Sequence, residues 1–250
     1  MRGRIIIAPP AHPGILGALF LIFLAPLLVA FVLPGALTEA LSPLGITWLA
    51  PAMLLLLALS PILGYLNLVV ARRRSIVEVL EVEYVVIFGL PVPVARPRLA
   101  AAESLIALNV GGALVPLFLA STMTWAAASL PRSWDLIAAI AATTAIVMAL
   151  TYRTSRVIGG VGVVVPAFMP PLAALISSMA MAIPLGLQAY VPAISYAGAV
   201  YGTILGADVL NIWRRGDALS AWLISIGGAG TFDGIFVSGI LSMLLSELII

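Results

Sequence analysis

The chain has 250 residues, of which 63% are hydrophobic and only 9% are charged. Soluble globular domains carry about 25% charged residues, so this composition excludes a soluble enzyme, a disordered protein and a nucleic-acid-binding module. Cysteine is absent and His12 is the single histidine. A thiol nucleophile is therefore excluded, and a histidine-based metal site inside a membrane is not expected.

Seven apolar stretches are long enough, or nearly so, to cross a bilayer as helices, which takes about 20 residues. In chain order they are roughly 14–37, 46–70, 104–127, 136–151, 160–185, 191–210 and 234–250. Pro166, Pro170 and Pro171 predict a break in the fifth stretch. We therefore predict an all-α polytopic membrane protein with about seven transmembrane helices, forming a single membrane domain over residues 1–250.

The second and third stretches are separated by a polar segment at residues 71–99. Within it, Ile76–Val94 is rich in β-branched residues, and Gly89 stands where a turn is needed. Such a run predicts strands joined by a tight turn. We predict a short cytoplasmic β-hairpin here, whose solvated face carries Glu78, Glu81 and Glu83.

The arginines fall in alternate loops between the predicted spans. With the N-terminus inside the cell, 11 of the 12 arginines lie on the cytoplasmic side, and Arg132 is the exception. Cytoplasmic loops of membrane proteins carry an excess of basic residues. We therefore predict a protein of the cell membrane with a cytoplasmic N-terminus and, after seven spans, an external C-terminus.

Asp208 and Asp233 lie near the cytoplasmic ends of two consecutive predicted spans, which would run antiparallel. Ionisable residues inside a membrane are candidates for function. Two facing carboxylates can share one proton and act as general base and general acid. Three alternatives remain open. Asp208 could pair with Arg214 or Arg215 while Asp233 caps the last helix, the pair could couple ions in a transporter, or the protein could be a non-catalytic scaffold.

Five further residues are candidates for binding a substrate: Asn109, Asn211, Gly228, Gly230 and Gly234. Asn211 follows Asp208 by three residues, so the two share one helix face, and glycines allow a close approach of backbone or substrate. No pattern predicts a cofactor or a metal site. The expected surroundings are the lipid bilayer, with a membrane peptide as candidate substrate and no nucleic acid.

Four motifs carry a first resemblance to a known family: Asn109–Pro116, Val165–Pro171, Gly206–Asn211 and Ser225–Phe236. They resemble a prokaryotic membrane family catalogued as domain of unknown function 1614. The resemblance covers roughly residues 45–250. It implies a multi-pass membrane protein and assigns no activity.

A second resemblance concerns the last motif. Gly228-Ala-Gly230 followed by Asp233 is similar to the Gly-x-Gly-Asp motif of presenilin and signal peptide peptidase, with two additional residues before the aspartate. The resemblance implies that Asp208 and Asp233 form the catalytic dyad of an intramembrane aspartyl protease-like hydrolase. That is the leading hypothesis. A transporter or ion-coupled permease with both aspartates in its coupling site is the alternative.

Overall fold

The computed structural model describes residues 5–9, 28–87, 90–158, 162–215, 222–229 and 233–249. This part of the chain is mostly helical. The α-helices are α1 (Leu33–Leu41), α2 (Ala50–Leu63), α3 (Val115–Ala128), α4 (Ser133–Thr154), α5 (Met169–Ala182), α6 (Val191–Thr203), α7 (Leu210–Arg215) and α8 (Gly234–Ile249). The strands are β1 (Ile5–Ile7), β2 (Leu66–Ile87), β3 (Leu90–Asn109), β4 (Arg156–Ile158), β5 (Gly162–Val164) and β6 (Leu223–Ile226).

Short π-helical or 3-10 turns extend several helices, so the described residues contain seven continuous apolar helical segments. Three of them are long and apolar enough to cross a membrane, namely Val110–Ala128, Ser133–Thr154 and Gln188–Arg214. The shorter ones are Ala30–Leu41, Thr47–Leu63, Met169–Leu185 and Gly234–Ile249. The composition and these three helices together are those of a membrane protein.

Several predicted spans have different bounds in the structure. The second ends at Leu63, and residues 104–109 of the third belong to β3. Hydrophobic runs alone do not separate helices from buried strands. The fifth begins as a helix only at Met169, with a proline in its first turn where the missing N–H does no harm. Most of the first predicted span lies outside the described residues.

The predicted all-α fold is only partly correct, because the helices are accompanied by a four-stranded sheet. The strand order in this sheet is β1-β2-β3-β6. The pairs are antiparallel except for β3 and β6, which are parallel. The hairpin of β2 and β3 has strands of 22 and 20 residues, much longer than the short hairpin predicted at residues 71–99. At about 3.3 Å per residue, β2 extends over roughly 70 Å.

The helices have two distinct ends. α2 leads directly into β2, and β3 leads directly into the segment that becomes α3, so this sheet lies at the end where α2 stops and α3 starts. We call it the sheet end; α7 stops there, α8 starts there, and the β4–β5 hairpin follows α4 there. The loop end is the opposite one, with the connections at 42–46, 129–132 and 186–187.

The five tryptophans are all strongly exposed, with exposed fractions between 61% and 87%. Trp48, Trp125 and Trp134 lie at the loop end, next to the connections between helices. Trp213 and Trp222 lie at the sheet end. Tryptophan is enriched at the two interfaces between a membrane and water, so this distribution marks two levels separated by the length of the helices.

Helix α6 is the centre of the helical bundle, and every one of its residues except Tyr201 is buried. It approaches α4 so closely that a methyl group on any of three glycines would overlap Thr143, Val147 or Thr151 of α4. Those glycines recur every fourth residue and are Gly198, Gly202 and Gly206. Small residues at this spacing let two helix backbones meet, which is a common packing mode of membrane helices.

Gly202→Ala should therefore destabilise the protein by about 1–3 kcal/mol, because the new methyl group would lie 2.5 Å from Val147 Cβ and force α4 and α6 apart. The matched control is Gly35→Ala in α1, where the added methyl would meet Glu247 Oε1 at an ordinary 3.6 Å. Helix propensity favours alanine there. The measurement is the thermal unfolding midpoint in detergent. Equal midpoints for the two variants would contradict the close approach.

Candidate functional site

Asp208 lies in a π-helical turn, Ile204–Val209, that joins α6 to α7. In this turn the N–H of Leu210 donates to the carbonyl of Leu205, five residues earlier. Such turns are rare and are frequent at functional sites. The wider turn brings Asp208 to the same side of the helix as Thr203, five residues before it. The Asp208 side chain is partly buried.

Asp233 is the N-cap of α8. Its carbonyl accepts from the N–H of Val237 at 3.0 Å. Its Oδ1 accepts from the N–H of Ile235 at 3.0 Å, and its Oδ2 lies 3.5 Å from the N–H of Ala229, at the outer limit of a hydrogen bond. Aspartate is a favoured N-cap, and the helix dipole stabilises its negative charge. Asp233 thus caps α8, as one of the alternatives from the sequence predicted.

Asp208 and Asp233 both lie at the sheet end, near the contact between α6 and α8. Thr203 Oγ1 lies 3.1 Å from Ser238 Oγ, and a methyl group built on Gly234 would lie 3.8 Å from Thr203 Cγ2. Asp208 lies five residues after Thr203, and Asp233 directly precedes Gly234. Two carboxyl groups from neighbouring elements therefore share one region at the sheet end.

Arg214 does not neutralise Asp208. Its Nη1 donates to the hydroxyl of Tyr152 at 3.3 Å, and its guanidinium lies over the Tyr152 ring, 5.6 Å from the centroid. Among the described residues, Asp208 has neither a hydrogen bond nor an ion pair with its side chain. The side chain of Arg215 lies outside the description. Arg73 also contacts α7, where its Nη1 donates to the carbonyl of Ile212 at 2.7 Å.

Asn211 is fully buried and holds the turn that carries Asp208. Its Nδ2 donates to the carbonyl of Ala207 at 2.7 Å, to that of Gly206 at 3.2 Å and to Ser155 Oγ at 2.8 Å. A π-helical turn changes the pairing of backbone carbonyls, and this amide supplies a donor for two of them. Asn211 Oδ1 has no hydrogen-bond partner among the described residues. The predicted contact of Asn211 with a substrate stays a prediction, and Oδ1 is the atom that is left to make it.

Asn109 joins the sheet to the helices. It is 1% exposed, and its Nδ2 donates to the carbonyl of Gly64 at 2.7 Å and to Asn67 Oδ1 at 3.2 Å. Its Oδ1 accepts from the N–H of Gly112 at 2.8 Å, and Ser225 Oγ of β6 donates to Asn67 Oδ1 at 2.6 Å. Both polar atoms of Asn109 are engaged, so its observed role is structural.

The glycines around Asp233 have different roles. Gly227 has a φ of 76°, which favours glycine, and its turn packs against Ala113 so closely that a methyl group would overlap. Gly228 continues this turn, and its N–H donates to the carbonyl of Ser225 at 3.1 Å. Gly234 lies beside Asp233 and faces α6, whereas Gly230 lies outside the described residues.

Sequence reasoning missed Thr203 and Ser238, the hydroxyl pair beside the aspartates. Each lies five residues from an aspartate, yet serine and threonine are common in apolar helices, where they bond to their own backbone. Ser238 does so as well, donating to the carbonyl of Ile235 at 3.1 Å. Neither residue therefore carried a signal of its own. The described residues also contain no group of three or more acidic or histidine side chains that could hold a metal ion.

The fold and the site define a mostly helical, strongly apolar protein with two aspartates at the end of the bundle that carries the sheet. The chain belongs to the family described as protein of unknown function (DUF1614), whose model matches residues 62–245. That range includes the long hairpin, Asp208 and Asp233. No curated protein and no solved structure matches the chain.

Asn109→Ala should lower the free energy of unfolding by at least about 2 kcal/mol, because it leaves the carbonyl of Gly64 and the N–H of Gly112 buried without these partners. The control is Thr122→Ala, which removes a hydrogen bond from an exposed threonine to its own helix and should change stability by less than about 0.5 kcal/mol. Denaturant titration in detergent measures both. A loss no larger than the control would show that Asn109 does not hold the sheet on the helices.

Proposed function

We propose that the chain is a multi-pass protein of the cell membrane whose sheet end faces the cytoplasm. The two groups of exposed tryptophans support two interface levels. The arginines support the direction, since Arg132 alone among the described ones lies at the loop end. Those at the sheet end or in the hairpin are Arg72, Arg73, Arg74, Arg96, Arg98, Arg153, Arg156, Arg214 and Arg215. This orientation gives a cytoplasmic N-terminus and, if α8 spans, an external C-terminus.

A topology reporter fused after Arg74 should read cytoplasmic, and one fused after Gly186 should read external, because arginine-rich segments resist translocation. Activity of compartment-specific reporters in intact cells measures both positions. A second fusion pair, after Arg156 and after Leu130, should repeat the two readings. An external signal at Arg74 would reverse the orientation.

We further propose that the protein is an intramembrane aspartyl protease-like hydrolase in which Asp208 and Asp233 act on a membrane peptide. The proposal rests on the position of two carboxyl groups on neighbouring elements, near the contact between α6 and α8, and on the absence of an ion pair to Asp208 among the described residues. Two such groups in a site of low polarity cannot both keep their charge and tend to share one proton. That is the state in which one carboxyl group activates water and the other donates a proton.

The environments of the two aspartates favour different roles. Asp233 accepts from backbone N–H groups and lies at a helix N-terminus, and both features favour its carboxylate form. Asp208 has no described donor, so the proposal assigns it the role of the acid. Asp233 would therefore take a proton from the attacking water, while Asp208 would give its proton to the carbonyl oxygen of the scissile peptide bond. The similarity of Gly228–Asp233 to the Gly-x-Gly-Asp motif agrees with this assignment and rests on those residues alone.

Asp208→Asn and Asp233→Asn should each reduce peptide cleavage by at least about 100-fold, because each removes one partner of an acid–base pair. The double variant should be no worse than either single variant, since the two groups act as a unit. The assay uses purified protein in lipid vesicles, a panel of single-span peptides and mass spectrometry of the fragments. Asparagine keeps the shape of aspartate and also caps helices, so folding should be retained.

The matched control is Asp135→Asn, which changes a surface carboxylate that binds Arg132 at 2.7 Å at the loop end and should leave cleavage unchanged. Cleavage that persists in both single variants would reject the dyad. If no peptide of a broad panel is cut, but both variants abolish a proton or ion flux of the parent protein, the pair couples ions instead.

A further inference from the structure

Three arginines at the sheet end carry charges that no described carboxylate neutralises. They are Arg153 in the last turn of α4, Arg156 in β4 and Arg214 in α7, and all three are exposed. The ion pairs among the described residues all involve arginines of the long hairpin or of the loop end. Arg153 and Arg156 also make no side-chain hydrogen bond within that part of the chain. Their charges are therefore free to attract an anion.

Two contacts between the end of α4 and α7 bring these arginines to one place. Asn211 Nδ2 donates to Ser155 Oγ at 2.8 Å. One turn later on α7, Arg214 Nη1 donates to the hydroxyl of Tyr152 at 3.3 Å. Ser155 and Tyr152 each stand directly before one of the other two arginines in the chain. All three charges thus belong to one surface, where α4 and β4 meet α7.

The guanidinium of Arg214 is oriented by Tyr152. It lies over the Tyr152 ring, 5.6 Å from the centroid, which is a favourable cation–π distance. Its contact with the hydroxyl uses one of the five N–H donors of a guanidinium. The remaining donors can bind a phosphate group through two parallel hydrogen bonds. Because this side chain is already held in place, it loses less conformational freedom when it binds an anion.

Apolar side chains lie exposed beside the arginines. Ile158 follows Arg156 by two residues on the same face of β4, and Val164 of β5 pairs with Arg156 across the hairpin. Ile158 and Val164 are each 44% exposed, and Trp213, the neighbour of Arg214, is 73% exposed. Arginine, tryptophan and aliphatic side chains on one exposed surface are typical of the interface between a membrane and water.

We propose that this surface binds an anionic phospholipid, whose phosphate headgroup contacts Arg153, Arg156 and Arg214 and whose acyl chains contact Ile158 and Val164. The unneutralised charges favour an anionic headgroup, because basic residues at a membrane surface attract anionic lipids. The exposed apolar side chains favour a lipid over a free phosphate ion. The proposal rests on the membrane topology proposed above and does not depend on the chemistry of Asp208 and Asp233.

The test measures which lipids the purified full chain retains in a neutral detergent. The protein is mixed with equal amounts of phosphatidylglycerol and phosphatidylcholine, and native mass spectrometry counts the bound lipids. The parent protein should retain several-fold more phosphatidylglycerol. Arg156→Gln combined with Arg214→Gln should reduce this retention by roughly 10-fold or more, because it removes two of the three charges that attract the headgroup.

The matched control is Arg96→Gln combined with Arg98→Gln, which removes the same charge from the long hairpin and should leave the retention of phosphatidylglycerol unchanged. Arg156→Lys combined with Arg214→Lys keeps both charges and should preserve most of the preference, although lysine cannot form the paired hydrogen bonds of arginine. No preference in the parent, or an equal loss in the Arg156/Arg214 glutamine variant and the control, would overturn the proposal.

A second measurement separates a lipid from a free anion. Phosphatidylglycerol should raise the thermal unfolding midpoint of the parent, because a ligand that binds the folded state stabilises it. Inorganic phosphate at the same concentration should not. Equal increases from both would reject the lipid and assign the arginines to a free anion. Lipid retention in detergent does not depend on which side of the membrane the sheet end faces, so a negative result here leaves the topology readings unaffected.

Discussion

The close approach of α4 and α6 is the constraint on which the rest of the molecule depends. Because Gly198, Gly202 and Gly206 have no side chains, the two helix backbones meet. Gly206 also lies within the π-helical turn that carries Asp208. Beyond this turn, Asn211 donates to Ser155 at the end of α4. Asp208 is thus held between two contacts with the same helix, on a turn that is fixed from both sides.

Asp233 is held by a separate set of contacts. Ser225 of β6 donates to Asn67, which also accepts from Asn109, so β6 is tied to the two long strands by buried polar groups as well as by its backbone. The turn at Gly227 then packs on the start of the α3 segment. Buried polar networks of this kind rigidify a structure when every member has its partners. Each of the two aspartates is therefore held by its own scaffold.

The sequence predicts the helix centres well, because composition depends little on exact ends, while the role of the two aspartates stays a prediction. The length of the hairpin was not predicted, since residues 66–70 and 104–109 are mostly apolar and continue predicted spans without any mark of a change to strand. The π-helical turn escapes prediction for a different reason. Nothing in the residues 204–209 distinguishes this turn from a regular helix, and only the packing of Asn211 and Gly206 on α4 makes it visible. The glycine repeat was not predicted either, although its spacing of four is a signal that the sequence alone contains.

The capping role and the proposed catalytic role of Asp233 do not exclude each other. An N-cap needs a carboxylate whose oxygens accept backbone N–H groups, and a general base needs a carboxylate that keeps its orientation and its charge. The bond to Ile235 orients the Asp233 carboxylate, and backbone N–H groups favour its charge. Asp208 has no comparable donors among the described residues. In the proposed dyad, capping one aspartate would be the physical means by which the pair acquires an acid and a base.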